Sequence, residues 1–500
     1  MINVEKLYQK YKRKWRKEDL YVFLTVFFVG FVNFFYLLTH HVLSPDGLAY
    51  GPIYKSNGWE VDLGRPLLLV VDRLRGGLVS PPIILFVSLV FISLSVILLT
   101  RIFTMKKPIP IIILSILFVL FPVLSESALF IYCMDSYSIA LFFSVLAIYF
   151  IQKEKPIWAI LFMIGSLSLY QAYISVTLTG VFLLYLFDIL EKKDSFKGFI
   201  KNLFIVFLGL LSYLILLKLG MFVFGRSLAD YKGASSFGMN TIVSLPKSIL
   251  HAYQDFYSFF FLDNLIYNHY YFRHIINIIL YLLLFIVLAI RSKKLKVGSI
   301  ILGICTLLLF PIACNIMDLI ACDTTINLVT GIGFVMFYVF MIVVFDRYIK
   351  RVNYQVFAYL FLLIFSYMCL LSNNGTFMAR EQTYQQYYGE MSTYLQKAKN
   401  LEGYDKDMPW MFSDIIRYVP DVAKASNGYL ALDYETYNNF YGMLETLIFV
   451  DHYFGERMYM VDLDQYHTVG ETEEFQNMKV GDVQIIDGVI VVKNSESLAF

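Results

Sequence analysis

Residues 157–188 read IWAILFMIGSLSLYQAYISVTLTGVFLLYLFD, an almost unbroken apolar run of 32 residues. As one helix it would be about 48 Å long, well beyond the roughly 30 Å of hydrocarbon in a bilayer. Lys153 and Lys155 precede it, and Lys192, Lys193, Lys197 and Lys201 follow it. Lysines in short connections collect on the cytoplasmic side, so a single crossing would strand one of these clusters on the wrong face. The run therefore reads as a hairpin of two crossings that turns on the outer face at Tyr170, Gln171, Ala172 and Tyr173.

The same pattern recurs on either side. Further apolar runs lie near 20–39, 81–100, 109–124, 136–151, 202–224, 274–290, 297–313, 328–345 and 354–372, with the hairpin arms at 157–169 and 173–189. Lipid leaves no backbone group unpaired, so each is read as a helix, about eleven in all. The chain has 500 residues, 58% hydrophobic, 18% aromatic and 16% charged, which excludes a soluble multidomain protein. The expected fold class is a mainly α, polytopic integral membrane protein. No small-residue cleavage site follows Thr39, so the first run is expected to be a retained anchor.

Lysine and arginine orient the bundle. With the N-terminus cytoplasmic, the inside segments hold 23 of them, against four near 55–75 and four between Arg226 and Arg273. Residues 1–19 form a basic segment in which Leu7, Tyr8, Tyr11 and Trp15 interleave with the bases, suited to lying on an anionic leaflet. Residues 20–372 form the membrane domain. Residues 373–500 are expected outside as a small α+β extracytoplasmic domain, with a helical stretch at 378–401 and two short strands about Asp487-Gly488. The expected location is the cytoplasmic membrane.

A net charge of +2 gives no field to recruit nucleic acid, so no such partner is expected. Cys133, Cys305, Cys314, Cys322 and Cys369 all lie in or beside apolar runs without a CxxC pair, which argues against a disulfide framework or a zinc site. No metal ligands and no cofactor are expected.

Polar groups at a membrane edge are costly, so those present there without need are informative. Most fall in the first outer loop, residues 40–80, whose stretch Arg65 to Leu74 is amphipathic and too short to span. Asp46, in Ser-Pro-Asp-Gly, sits in a turn that presents a carboxylate, a candidate general base; an Asx turn is the simpler reading. Arg65, in Gly64-Arg65-Pro66, can fork onto a phosphate or merely snorkel. Glu60 and Asp62 can bind sugar hydroxyls or solvate the loop. Asp135 can contact an acceptor or cap a helix. Tyr170 and Gln171 line the same face, and Arg226, Tyr231 and Lys232 in the loop 225–273 can close over a lipid phosphate. His40 and His41 are adjacent and are given no role.

Trp59-Glu-Val-Asp-Leu-Gly64-Arg65-Pro66-Leu67, preceded by an acidic turn at Asp46, resembles the first outer loop of bacterial type II Gtr glucosyltransferases, polytopic enzymes associated with serotype conversion. SLSLYQAYISV at 166–176 resembles that family's second signature, and 226–234 fits more loosely. The resemblance spans about residues 20–370. It implies a GT-C-like fold and a hexosyltransferase, of glucose or a related sugar. Such an enzyme takes its sugar from a polyprenyl-phosphate donor and passes it to an envelope polysaccharide or related glycan on the outer face. By motif position, Asp46 falls at the acidic catalytic site and Arg65 at the Gly-Arg, with inverting displacement and the donor phosphate held by Arg65, Arg226 and Lys232. Glu60, Asp62, Asp135, Tyr170, Gln171 and Tyr231 would contact substrate. The family usually shows paired acids and a following base; here Pro45-Asp46 leaves one carboxylate, and Leu48-Ala49-Tyr50 supplies no base.

An outward-facing transferase cannot use cytoplasmic nucleotide sugars, so the topology independently favours a lipid-linked donor in the bilayer. The main alternative is a lipid-linked glycan flippase or transporter, for which charged spans or repeated halves would speak; neither is present. A polysaccharide polymerase or ligase is the nearer alternative.

Overall fold

The computed structural model describes residues 16–42, 46–47, 52–56, 58–193, 195–229, 239–262, 271–320, 328–414, 439–496 and 498. The basic residues 1–15 lie outside these. The helices before the hairpin are α1 (Lys17–Thr39), α2 (Gly58–Asp62), α3 (Pro66–Arg75), α4 (Pro81–Ile102), α5 (Pro108–Val119), α6 (Pro122–Leu129) and α7 (Met134–Gln152). The hairpin arms are α8 (Pro156–Leu167) and α9 (Ile174–Leu190). Then come α10 (Phe196–Val223), α11 (Met239–Tyr257), α12 (Tyr271–Ser292), α13 (Val297–Cys314), α14 (Ile316–Ile320), α15 (Val335–Tyr348) and α16 (Val352–Lys399).

Local chemistry sets the ends. Pro66, Pro81, Pro108, Pro122 and Pro156 open helices, where a missing N–H costs nothing because the first-turn amides have no helical partner. Thr104, Glu154 and Lys192 take positive φ of 52°, 55° and 67°. The next N–H in each case bonds back to the carbonyl of Thr100, Phe150 or Asp188 at 2.8–2.9 Å, reversing the chain.

Among the described residues, ten helices are long and apolar enough to cross a membrane. The chain is a mainly helical multi-pass membrane protein. The hairpin at 157–188 is present, its arms joined through a 3-10 turn at Gln171–Tyr173. The first arm differs from the expected crossing: α8 has 12 residues, about 18 Å, too short to traverse hydrocarbon alone. It stops because the chain leaves the helix at Ser168, whose carbonyl accepts the Leu67 N–H of the first loop at 3.0 Å.

The bundle's two ends differ in chemistry. At one, the basic connections tie helices together: Arg101 pairs with Asp19, Lys107 with Asp346 at 2.7 Å, and Arg347 with Glu191 at 2.5 Å, while Arg291 donates to the Leu190 carbonyl at 2.9 Å. The first loop covers the opposite end. α15 runs through the centre, with every residue from Val335 to Phe345 buried, whereas α10, α12 and α13 expose apolar faces such as Phe222, Phe285 and Leu308. Close approach replaces a hydrophobic drive between helices in lipid; a Cβ at Gly30 would lie 2.5 Å from Leu89 and one at Gly180 2.2 Å from Ile148.

α16 leaves this bundle without interruption for 48 residues, about 72 Å. Residue 373, where the sequence reading begins the tail, therefore lies inside one helix. The far end of α16 packs Tyr384, Met391, Leu395 and Ala398 into a second core with Trp410, Met411 and Val489–Val492. That core belongs to a four-stranded sheet of β1 (Pro409–Phe412), β2 (Tyr459–Met460), β3 (Val483–Ile486) and β4 (Val489–Val492), in the order β2-β1-β4-β3. α17 (Asn439–Phe454), α18 (Leu463–Gly470) and α19 (Glu473–Asn477) complete it. β3 and β4 form the expected hairpin, with Asp487 and Gly488 at φ 48° and 74°, the left-handed pair of a type I′ turn.

A buried polar clasp joins the first and last crossings. Asn33 donates to Ser125 Oγ at 3.0 Å, and Asn373 Nδ2 donates to Asn33 Oδ1 at 3.0 Å and to the Leu120 carbonyl at 2.9 Å. Asn33→Ala removes one donor and one acceptor from this clasp. It is expected to lower the stability of the detergent-solubilised chain by about 1–2 kcal/mol, read from its thermal unfolding.

Candidate functional site

A loop that dips toward lipid needs partners for its backbone, and the first loop finds them on the hairpin turn. Gln171 Nε2 donates to the Leu63 carbonyl at 2.7 Å and to Tyr213 Oη at 3.1 Å, while Tyr213 donates to the Gly64 carbonyl at 2.7 Å. Gly64 has φ +80°, and a Cβ there would stand 2.7 Å from both Gln171 and Tyr213. Arg65 then caps α3, with Nε donating to Gln171 Oε1 at 3.3 Å and the guanidinium 4.6 Å from the centre of the Tyr170 ring. The Trp59-to-Pro66 segment and the Tyr170-Gln171-Ala172 turn are therefore one physical assembly. The loop closes on itself where Tyr54 N–H bonds Gly77 O and Val79 N–H bonds Pro52 O, both at 2.9 Å.

Asp46 is half-buried and accepts from the Tyr132 hydroxyl at 3.2 Å. The Tyr132 ring lies 4.7 Å from Tyr54, whose hydroxyl donates to the buried Glu60. Five residues along, Tyr137 packs at 4.5 Å on Tyr170, the ring beneath Arg65. Residues 132–137 thus touch Asp46 at one end and the Arg65 platform at the other. A carboxylate there can take a proton, and a stacked, fixed guanidinium can hold an anion.

Other acids and bases are already committed to one another. Asp135, read as an acceptor contact or a cap, spends both oxygens on Arg75 at 2.8 and 2.7 Å. It stands inside the first turn of α7, so it is not the cap residue, although Oδ1 also accepts from the Ser136 N–H at 2.8 Å. Arg75 further binds Asp72 at 3.1 Å and the Tyr132 carbonyl at 2.5 Å. Arg226, read as a phosphate ligand, forks onto Asp62 at 2.7 and 2.9 Å, and its hydrogen bonds hold that carboxyl below the usual range. It covers Gly58, where a Cβ would lie 1.8 Å from Nη2. Asp62 is correspondingly paired with Arg226, and Glu60 accepts from Tyr54. Tyr231 and Lys232 lie outside the described residues.

Several groups here escaped the sequence reading. Asp72 and Arg75 stand three apart on α3, a detectable helical pair. Tyr54, Tyr132 and Tyr213 carried no signal distinguishing them from the many membrane tyrosines. The same holds for a further acid pair at this end of the bundle. Burial and the nearby Asp255 carboxylate push the Asp318 carboxyl up to about 8, with Oδ2 buried and lacking a hydrogen-bond partner.

Two expectations follow. Gly64→Ala forces a left-handed φ on a residue with a Cβ and presses Gln171 and Tyr213, so it is expected to cost about 1–3 kcal/mol, seen as a lower melting temperature. Asp318 has a folded pKa raised above its unfolded value, so its favourable contribution is complete below the unfolded pKa and is lost as pH rises toward about 8. Asp318→Asn is therefore expected to match the wild type near pH 4 and to exceed it in thermal stability at pH 9, by at least about 1.4 kcal/mol.

Searches of curated proteins and of solved structures returned no match. A family model described as Glucosyl transferase GtrII matches residues 35–345, more than half of the chain, and takes in Asp46, which with Gly47 is helical rather than in the expected turn, the Arg65 platform and the hairpin turn. The chain belongs to the GtrII glucosyltransferase family, and this multi-pass membrane protein is a glucosyltransferase.

Proposed function

We propose that the chain is a GT-C-type enzyme that moves glucose from a polyprenyl-phosphate donor to an envelope glycan on the extracytoplasmic side of the cell membrane. The observation that carries this reading is Asp46 under the Tyr132 hydroxyl, joined through residues 132–137 to the stacked Arg65. The segregation of basic connections to the opposite end supports the orientation, since such residues collect in the cytoplasm. A donor dissolved in the bilayer suits a site at the bundle's edge.

The acceptor hydroxyl attacks the anomeric carbon and Asp46 takes its proton. The carbon–oxygen bond to phosphate breaks, its electron pair leaves with the prenyl phosphate, and the configuration inverts. Tyr132 orients the Asp46 carboxylate through its hydrogen bond. Arg65, fixed by Gln171 and Tyr170, meets the charge that grows on the phosphate, and fixed donors stabilise such charge without reorganising. Asp135 and Arg226 act in this reading as braces of the first loop. Residues 400–414 and 439–496, joined to the bundle by α16, form an acceptor-side domain in this reading.

The test is transfer by the purified full chain from polyprenyl-phosphate glucose to an envelope glycan. Asp46→Asn is expected to lower kcat by roughly 10²–10⁴-fold with the fold intact; equal turnover would refute the base. Absence of transfer from every lipid-linked sugar, together with lipid translocation in vesicles, would favour the flippase.

A further inference from the structure

Arg380 is a buried cation on the part of α16 that lies beside the end of α1. It is 5% exposed, and its Nε and Nη1 are buried with no hydrogen-bond partner among the described residues. Burying an arginine is tolerated when a carboxylate shares the site, as Asp72 and Asp135 do for Arg75. Among the described residues no carboxylate pairs with Arg380. It cannot shed its proton to escape the cost of desolvation. A guanidinium with two buried donors left unpaired among the described residues is poised for an anion from outside the chain.

Its position says where that anion comes from. α16 runs beside α1 in the same direction: Asn373 bonds Asn33, Phe377 lies 6.1 Å from Phe34, and Tyr384 stacks at 4.7 Å on His41. Arg380 falls between the last two of these contacts, level with the end of α1 and the start of the loop that carries Asp46. Glu381, the adjacent acid, is turned to Tyr36.

We infer that Arg380 binds the phosphate of the prenyl donor at the membrane edge. The inference rests on the lipid-phosphate donor proposed above. The planar fork of the guanidinium matches two phosphate oxygens, and the phosphate supplies the counter-charge that the chain withholds. The site is completed by its substrate, which adds the counter-charge that the described residues do not pair with Arg380.

Binding of farnesyl phosphate, farnesol and inorganic phosphate to the detergent-solubilised full chain tests this. Arg380→Gln is expected to weaken farnesyl phosphate by at least about tenfold, to leave farnesol unchanged, and to match or exceed the wild type in melting temperature. Arg380→Lys is expected to recover part of the lost affinity. Unchanged farnesyl phosphate binding in Arg380→Gln overturns the inference, as does a parallel loss of farnesol with a lower melting temperature, the mark of a structural arginine. Inorganic phosphate binding as tightly as farnesyl phosphate overturns the lipid source. Glucose transfer separates the two readings. A wild type that binds farnesyl phosphate through Arg380 yet transfers nothing sinks only the transferase mechanism, and one that transfers with the same donor KM after Arg380→Gln sinks only this inference.

Discussion

A backbone that leaves a helix at the edge of hydrocarbon has to find hydrogen-bond partners there or stay helical, and this constraint organises the molecule. Gln171 and Tyr213 supply partners to Leu63 and Gly64, and Ser168 supplies one to Leu67. With these in place the first loop can lie against the bundle rather than stand off in water. Arg65 then inherits a fixed position as the residue between Gly64 and α3. The short arm α8 is the counterpart of the same arrangement, because a full-length crossing would keep Ser168 inside a helix and leave Leu67 without its acceptor.

The helical bundle was legible in the sequence because lipid imposes one rule on every crossing, and a run of apolar residues satisfies it visibly. The hairpin turn was legible for a related reason: lysines on both sides of 157–188 ask the chain to return to one face, and it reverses at Gln171–Tyr173. The length of α8 was not, since a loop 100 residues upstream sets it and hydropathy reports only local composition. The Asp487-Gly488 turn was readable because left-handed φ at two successive positions narrows the residue choice to a few.

At the site, single residues were legible and pairings were not. Asp46, Arg65 and Gln171 drew notice as polar groups in a costly place, and the fold puts Arg65 and Gln171 in contact and Asp46 under Tyr132. Asp135, Arg226 and Asp62 drew notice for the same reason, yet each is bound to an opposite charge brought from far along the chain. A charge needed to hold a loop and a charge needed to hold a ligand look identical in one dimension. What separates them is whether the protein itself provides the partner, and among the described residues Arg380 Nε and Nη1 have none.

The unbroken run of α16 from the bundle into the second core has a mechanical side. No proline interrupts it, and a helix of this length bends only at real cost, so the sheet at its far end behaves as the load on a stiff rod whose foot, Val352 to Asn373, is set in the bundle as far as Asn33. Whatever pulls on that sheet exerts torque on the foot. Tension on the surface module is thereby felt at the level of Arg380, without any separate relay of moving parts.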